Sequence, residues 1–131
     1  FTNFINGCSW NARGLSHHMR KVRENKAREL HRLSKQYLVI GILEAHGTAA
    51  TLRATVTSCL TTHVLMTSHV QDSYGNSLSN AGGIAVLVSK AILCMPFCPG
   101  SCFREFIPGR AVEFCLFNPL RTKQVHFVFV H

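Results

Sequence analysis

Acidic residues are scarce in this chain. Its 131 residues hold six Asp and Glu together, and Asp72 is the one aspartate. Charged types reach only 15% against 47% hydrophobic ones, which excludes an intrinsically disordered chain. Gly and Pro are too few for a collagen-like or Pro-rich segment. No apolar run approaches the ~18–20 residues that a membrane-spanning helix needs, so no transmembrane segment is expected. The length suits a single domain. No internal repeat, low-complexity tract or linker divides it.

Positive charge is in excess. Fourteen Lys and Arg leave a formal net charge of +8, and eight His add to it in acid. Such a balance suits a polyanionic partner, either a nucleic acid or an anionic membrane surface. Most of the excess lies between Arg13 and Lys35. Arg13, Arg20, Lys21, Arg23, Lys26, Arg28, Arg32 and Lys35 there face only Glu24 and Glu29. Six cysteines occur, Cys8, Cys59, Cys94, Cys98, Cys102 and Cys115. With no signal-peptide pattern ahead of them, free thiols in a reducing compartment are expected. Cys94, Cys98 and Cys102 repeat a three-residue gap and lack the C-x-x-C pair of most zinc sites.

The pattern of apolar residues predicts mixed α/β structure. Phe1–Trp10 reads as a strand, with Phe4, Cys8 and Trp10 on alternate positions. Ser16 is placed to cap a helix running to about Gln36, with an apolar stripe of Met19, Val22, Ala27, Leu30, Leu33 and Tyr37. Its opposite, basic face includes Lys26 and a Glu24–Arg28 pair. The continuous run Leu38–Leu43 fits a strand covered on both faces, completing a βαβ unit. Thr48–Thr62 is open to helix or strand, Val64–Val70 predicts a strand, and Asp72–Asn80 a turn-rich loop. Gly83–Ser89 predicts a buried strand. Two long strands follow, Arg104–Phe117 and Gln124–Val130, joined at Asn118-Pro119. The sequence begins at Phe1 without Met and stops inside an apolar run, so a partial domain, truncated at its C-terminus, is expected.

Two polar residues stand where such a fold keeps its chemistry. Asn11 follows the first strand and Glu44 the second. Parallel neighbours bring their carboxyl ends together, at the edge where ligands collect in α/β sheets. An amide and a carboxylate meeting there suit a hard divalent cation, because Mg²⁺ takes one or two carboxylates plus water and phosphate oxygens. Arg13, just past the first strand, is placed to pair with a phosphate or with a neighbouring acid. His46 lies close by in sequence, with either a structural or a phosphate-binding role open to it.

Ser9-Trp10-Asn11-Ala12-Arg13-Gly14-Leu15, followed by a basic helix and Ile42-Leu43-Glu44-Ala45-His46, resembles the endonuclease/exonuclease/phosphatase superfamily. Gly82-Gly83-Ile84-Ala85-Val86-Leu87 and Gly109-Arg110-Ala111-Val112-Glu113-Phe114 add two more segments in that family's order. Arg13 and the His after the glutamate look most like the non-LTR retrotransposon endonucleases. The resemblance implies a deoxyribonuclease I-like four-layer α/β/β/α sandwich, of which residues 1–131 cover the N-terminal half. It implies Mg²⁺-dependent phosphodiester hydrolysis (Mn²⁺ as substitute), with Asn11 and Glu44 as catalytic and metal-holding residues and Arg13 on DNA. A nuclear, intracellular location follows if the source is a eukaryotic retroelement. Leu43 departs from the family's usual Gln, and the family's D-x-N motif, Asp–His pair and late Asp have no counterpart here. Two alternatives follow: hydrolysis of lipid or small-molecule phosphate esters on the same fold, and a non-catalytic nucleic-acid-binding fragment or decayed copy.

Overall fold

Val39–Leu43 and Ile84–Ser89 lie side by side at the centre of the molecule, and their unbroken apolar character follows from that position. The computed structural model describes residues 5–93, 100–117, 120 and 122–131. In chain order it contains β1 (Gly7–Asn11), α1 (Arg20–Ser34), β2 (Val39–Leu43), α2 (Ala49–Thr55), β3 (His63–Ser68), β4 (Ile84–Ser89), α3 (Lys90–Leu93), β5 (Gly100–Ile107), β6 (Ala111–Phe117) and β7 (Gln124–Val130). The first sheet has the order β1-β2-β4-β3. β1 and β2 run parallel through the crossover helix α1, as the βαβ pattern predicts, and β4 runs antiparallel to both its neighbours. The second sheet, β5-β6-β7, is an antiparallel meander.

Alternate side chains of the first sheet feed two cores. Ile40, Ile42, Ala85 and Leu87 meet Leu30 and Leu33 of α1 and Leu52 of α2. Val39, Ile84, Val86 and Val88 meet Val112, Phe114, Leu116 and Phe129 of the second sheet. The protein is therefore a mixed α/β structure in which helices, one sheet and a second sheet are stacked. Gly41 admits the second sheet to this contact, since a Cβ there would overlap the Phe129 ring.

Several element boundaries differ from expectation. Of Phe1–Trp10, only the end belongs to β1, and Phe1 to Phe4 lie outside the described residues. Ser16 does not cap α1; its hydroxyl pairs with Thr55 Oγ1 at 3.1 Å. The Met19 N–H is taken by His17 Nδ1 at 3.1 Å, so the helix begins a turn later and Met19 is exposed. Glu24 pairs with Arg20, not Arg28. Thr48–Thr62 resolves as helix: Thr48 and Thr51 form a reciprocal capping box for α2, and a 3₁₀ turn follows at Thr57–Cys59. The predicted strand Arg104–Phe117 is two strands. Pro108-Gly109 turns the chain, Gly109 takes φ 70°, and the Arg110 N–H closes on the Ile107 carbonyl at 2.9 Å. This is the type II geometry that Pro-Gly favours. Asn118-Pro119, the predicted link before β7, lies outside the described residues, as do Cys94 and Cys98. Among the described residues no helix is long and apolar enough to cross a membrane.

Candidate functional site

Because β1 and β2 are parallel and in register, Asn11 stands opposite Leu43 and the next residue, Glu44, begins its loop beside it. The two loops are then laced together. Ala12, Gly14 and Leu15 donate their N–H groups to the carbonyls of Leu43, Glu44 and Ala45, at 2.9, 2.7 and 2.7 Å. On the other side, Ala45 and His46 donate to Gly83 and Gly82, and Gly83 donates to Gly109. Gly109 in turn donates to the buried hydroxyl of Ser68 at 2.7 Å. The sequence-predicted pair, Asn11 and Glu44, is thus brought together at one end of the first sheet.

Among the described residues, three that are not glycine adopt left-handed backbone, Arg13 (φ 49°), Glu44 (φ 50°) and His46 (φ 51°), and all three belong to these two loops. Each such residue costs about 1–2 kcal/mol, so the surrounding bonds must hold it. Lys26 is the chief clamp. Its ammonium donates to the carbonyls of Ala12, Arg13 and Gly14 at 2.6, 3.0 and 2.7 Å. Burial, with Arg13 nearby, lowers its pKa. Lys26 therefore turns inward from the basic face on which its helical position had placed it.

Glu44 Oε1 accepts from His131 Nε2 at 2.6 Å, with the two side chains 27% and 24% exposed. Arg110 Nη1 reaches the other ring nitrogen, Nδ1, at 3.2 Å. A guanidinium only donates, so Nδ1 accepts and Nε2 carries the proton given to Glu44. The bond from His131 pulls the Glu44 carboxyl below the usual carboxylate range, helped by the Asn11 amide and the nearby His46 and opposed by desolvation. Asn11 Oδ1 accepts the Arg13 N–H at 3.1 Å, which leaves the amide nitrogen to donate to the Glu44 carboxylate. Asn11 thereby orients the acid. Arg13 is exposed, and among the described residues its guanidinium pairs with no carboxylate.

Sequence reasoning missed His131, Arg110 and Lys26 as parts of this site. Arg110 was visible in the Gly109-Arg110 segment, but the turn that delivers it was read as continuous strand. His131 followed an apolar run and had no local signal of a partner at the end of β2. Among the described residues, no three His, Cys, Asp or Glu side chains gather into a metal-holding group. The donor set at Glu44 is one ionised carboxylate with one oxygen left free by His131, flanked by an amide. That set fits in kind a hard cation that keeps most of its water, and does not fit zinc, which wants three or four protein ligands. A separate cavity of about 420 Å³ lies between α1 and α2, lined by Ser16, Arg23, Glu24, Ala27 and Thr51 among others, and includes none of these groups. No family model matches the chain, and no curated protein matches it.

Proposed function

We propose that this chain is a Mg²⁺-dependent phosphodiesterase unit of the endonuclease/exonuclease/phosphatase type, acting on DNA, whose parent fold is the four-layer α/β/β/α sandwich. The observation that carries the reading is the meeting of Asn11 and Glu44, distant in sequence, in two strained and interlocked loops. A hard divalent cation bound at Glu44 would polarise a phosphoryl oxygen and offset charge on the leaving oxygen. Glu44 supplies the negative charge, and its lowered pKa extends that charge into more acidic solution. Asn11 fixes the carboxylate's direction. Arg13, exposed beside it, pairs with a backbone phosphate, and Arg110 and His131 add positive charge and a proton-bearing ring on the far side.

One observation favours the non-catalytic alternative: among the described residues the groups acting on Glu44 are an amide and two histidines, and no second acid joins it to hold a cation. Metal binding and turnover are therefore tested separately. Mn²⁺ added to the labelled protein should broaden the amide resonances around Asn11 and Glu44, and Glu44→Gln should remove that effect. Broadening confined to other residues would overturn the metal reading. Duplex DNA should bind with a strong salt dependence. Preference for anionic vesicles over DNA would move the substrate to lipid phosphate esters. The chain alone is expected not to nick supercoiled DNA with Mg²⁺, and vigorous nicking would overturn the single-carboxylate argument.

A further inference from the structure

The outer face of the second sheet carries a cluster unconnected with Glu44. Cys102 on β5 and Cys115 on β6 are directly opposed in the antiparallel register. Opposed residues have Cα atoms about 4.5 or 5.5 Å apart, and both separations fall within the ~4.4–6.8 Å that a disulfide spans. The flanking pair, Phe103 and Phe114, faces the core, so the two cysteines share the opposite face. Both thiols are free, and they lie within hydrogen-bond reach of each other. Cys115 is 4% exposed and Cys102 is half-buried, so a small oxidant meets Cys102 first.

A histidine completes the cluster. His126 on β7 is opposite Cys115 in the register. Its Nε2 lies 3.9 Å from Cys115 Sγ and 3.0 Å from Gln124 Oε1, and its Nδ1 lies 3.2 Å from Glu113 Oε2. Arg104 is opposed to Glu113 on the same face. Burial, Cys102 and Glu113 push the Cys115 thiol up, against the pull of Arg104, so Cys115 keeps its proton until the displacement and is suited to the second step.

We propose that Cys102 and Cys115 form a reversible cross-strand disulfide, an oxidative modification site driven by a peroxide. The Cys102 thiolate attacks one peroxide oxygen, forming an S–O bond and breaking the O–O bond, which leaves a sulfenic acid and hydroxide. The Cys115 sulfur then displaces hydroxide from Cys102, forming the S–S bond, and the departing hydroxide takes the Cys115 proton and leaves as water. Two thiols lose two electrons, and hydrogen peroxide becomes two waters. The bond ties β5, an edge strand, to the central strand of its sheet.

The test is peptide mapping of the 131-residue protein after stoichiometric hydrogen peroxide, with the remaining thiols alkylated. A Cys102–Cys115 linked peptide, lighter by about 2 Da and reversed by dithiothreitol, is expected, with Cys8 and Cys59 alkylated. Cys115→Ser should leave Cys102 as a sulfenic acid that dimedone traps. Linkage of Cys102 to Cys98 or Cys94 would overturn the proposal. So would an unlinked, fully alkylated Cys102 in the unsubstituted protein.

Discussion

In β2 and β4 nearly every residue is buried, whereas β7 alternates exposed and covered residues along its length. The cause is the number of layers. The first sheet has helices on one face and the second sheet on the other, so its central strands meet apolar surface both ways. The second sheet uses one face for that same core and leaves Arg104, His126, Val128 and Val130 exposed on the other. The doubly covered sheet is also the one whose strand ends hold the strained loops and Glu44. A rigid platform tolerates local strain at its rim because packing on both faces leaves the loops little room to relax.

The sharpest way to break this comparison is through the shared core. Phe114 is fully buried between the sheets, and Phe114→Ala should cost about 3–5 kcal/mol in urea unfolding, as deletion of a buried ring does. A loss below about 1 kcal/mol would mean that the two sheets do not share a packed interior.

Next in size is Lys26. Its ammonium serves three carbonyls of the loop after β1, and Lys26→Met leaves them without that donor. A loss of about 2 kcal/mol is expected from the charged hydrogen bonds, together with weaker Mn²⁺ broadening near Asn11. Unchanged metal response with reduced stability would separate the clamp from the site.

The same region carries a pH signature. The Glu44 carboxyl is lowered in the folded state, chiefly by the bond from His131. A lowered carboxyl contributes stability that is fully present above its unfolded value, about 4.3, and is lost as pH falls through the folded value. The thermal midpoint of the native protein should therefore exceed that of Glu44→Gln near neutral pH, and the margin should close as pH falls below about 4. A margin that persists undiminished at about pH 2 would contradict the His131–Glu44 bond.

These outcomes bear on what was legible in advance. Leu38–Leu43 and Gly83–Ser89 were readable as doubly covered strands because burial on both faces erases alternation, and the βαβ start followed from one strand, a striped helix and one run. The meeting of Asn11 with Glu44 was legible for the same reason, since parallel neighbours share a carboxyl edge. The break at Pro108-Gly109 was written in the sequence as a turn signal, but the apolar pattern on either side, Phe103 to Ile107 and Ala111 to Phe117, masked it. His131 and Lys26 were not legible. Their partners are set by tertiary packing: Lys26 reaches back to the loop after β1, and His131 reaches across from the second sheet to Glu44. Neither contact leaves a periodicity or a local spacing to read.

The smallest expected effect is at Val128. It is opposed to Glu113 on the outer face of the second sheet and is largely exposed. Val128→Thr keeps the β-branched shape that suits a strand and exchanges a methyl for a hydroxyl already in contact with water. The stability change should stay within about 0.5 kcal/mol, as for other exposed substitutions. Phe129, its immediate neighbour, points the other way into the shared core, so Phe129→Ala should approach the cost of Phe114→Ala. Adjacent positions on one strand then differ several-fold, because one side chain is packed in the core and the other stands in water, and because the buried change removes a whole ring. A cost above about 1 kcal/mol for Val128→Thr would show that the outer face is covered in solution, and the contrast between a doubly covered and a singly covered sheet would fall with it.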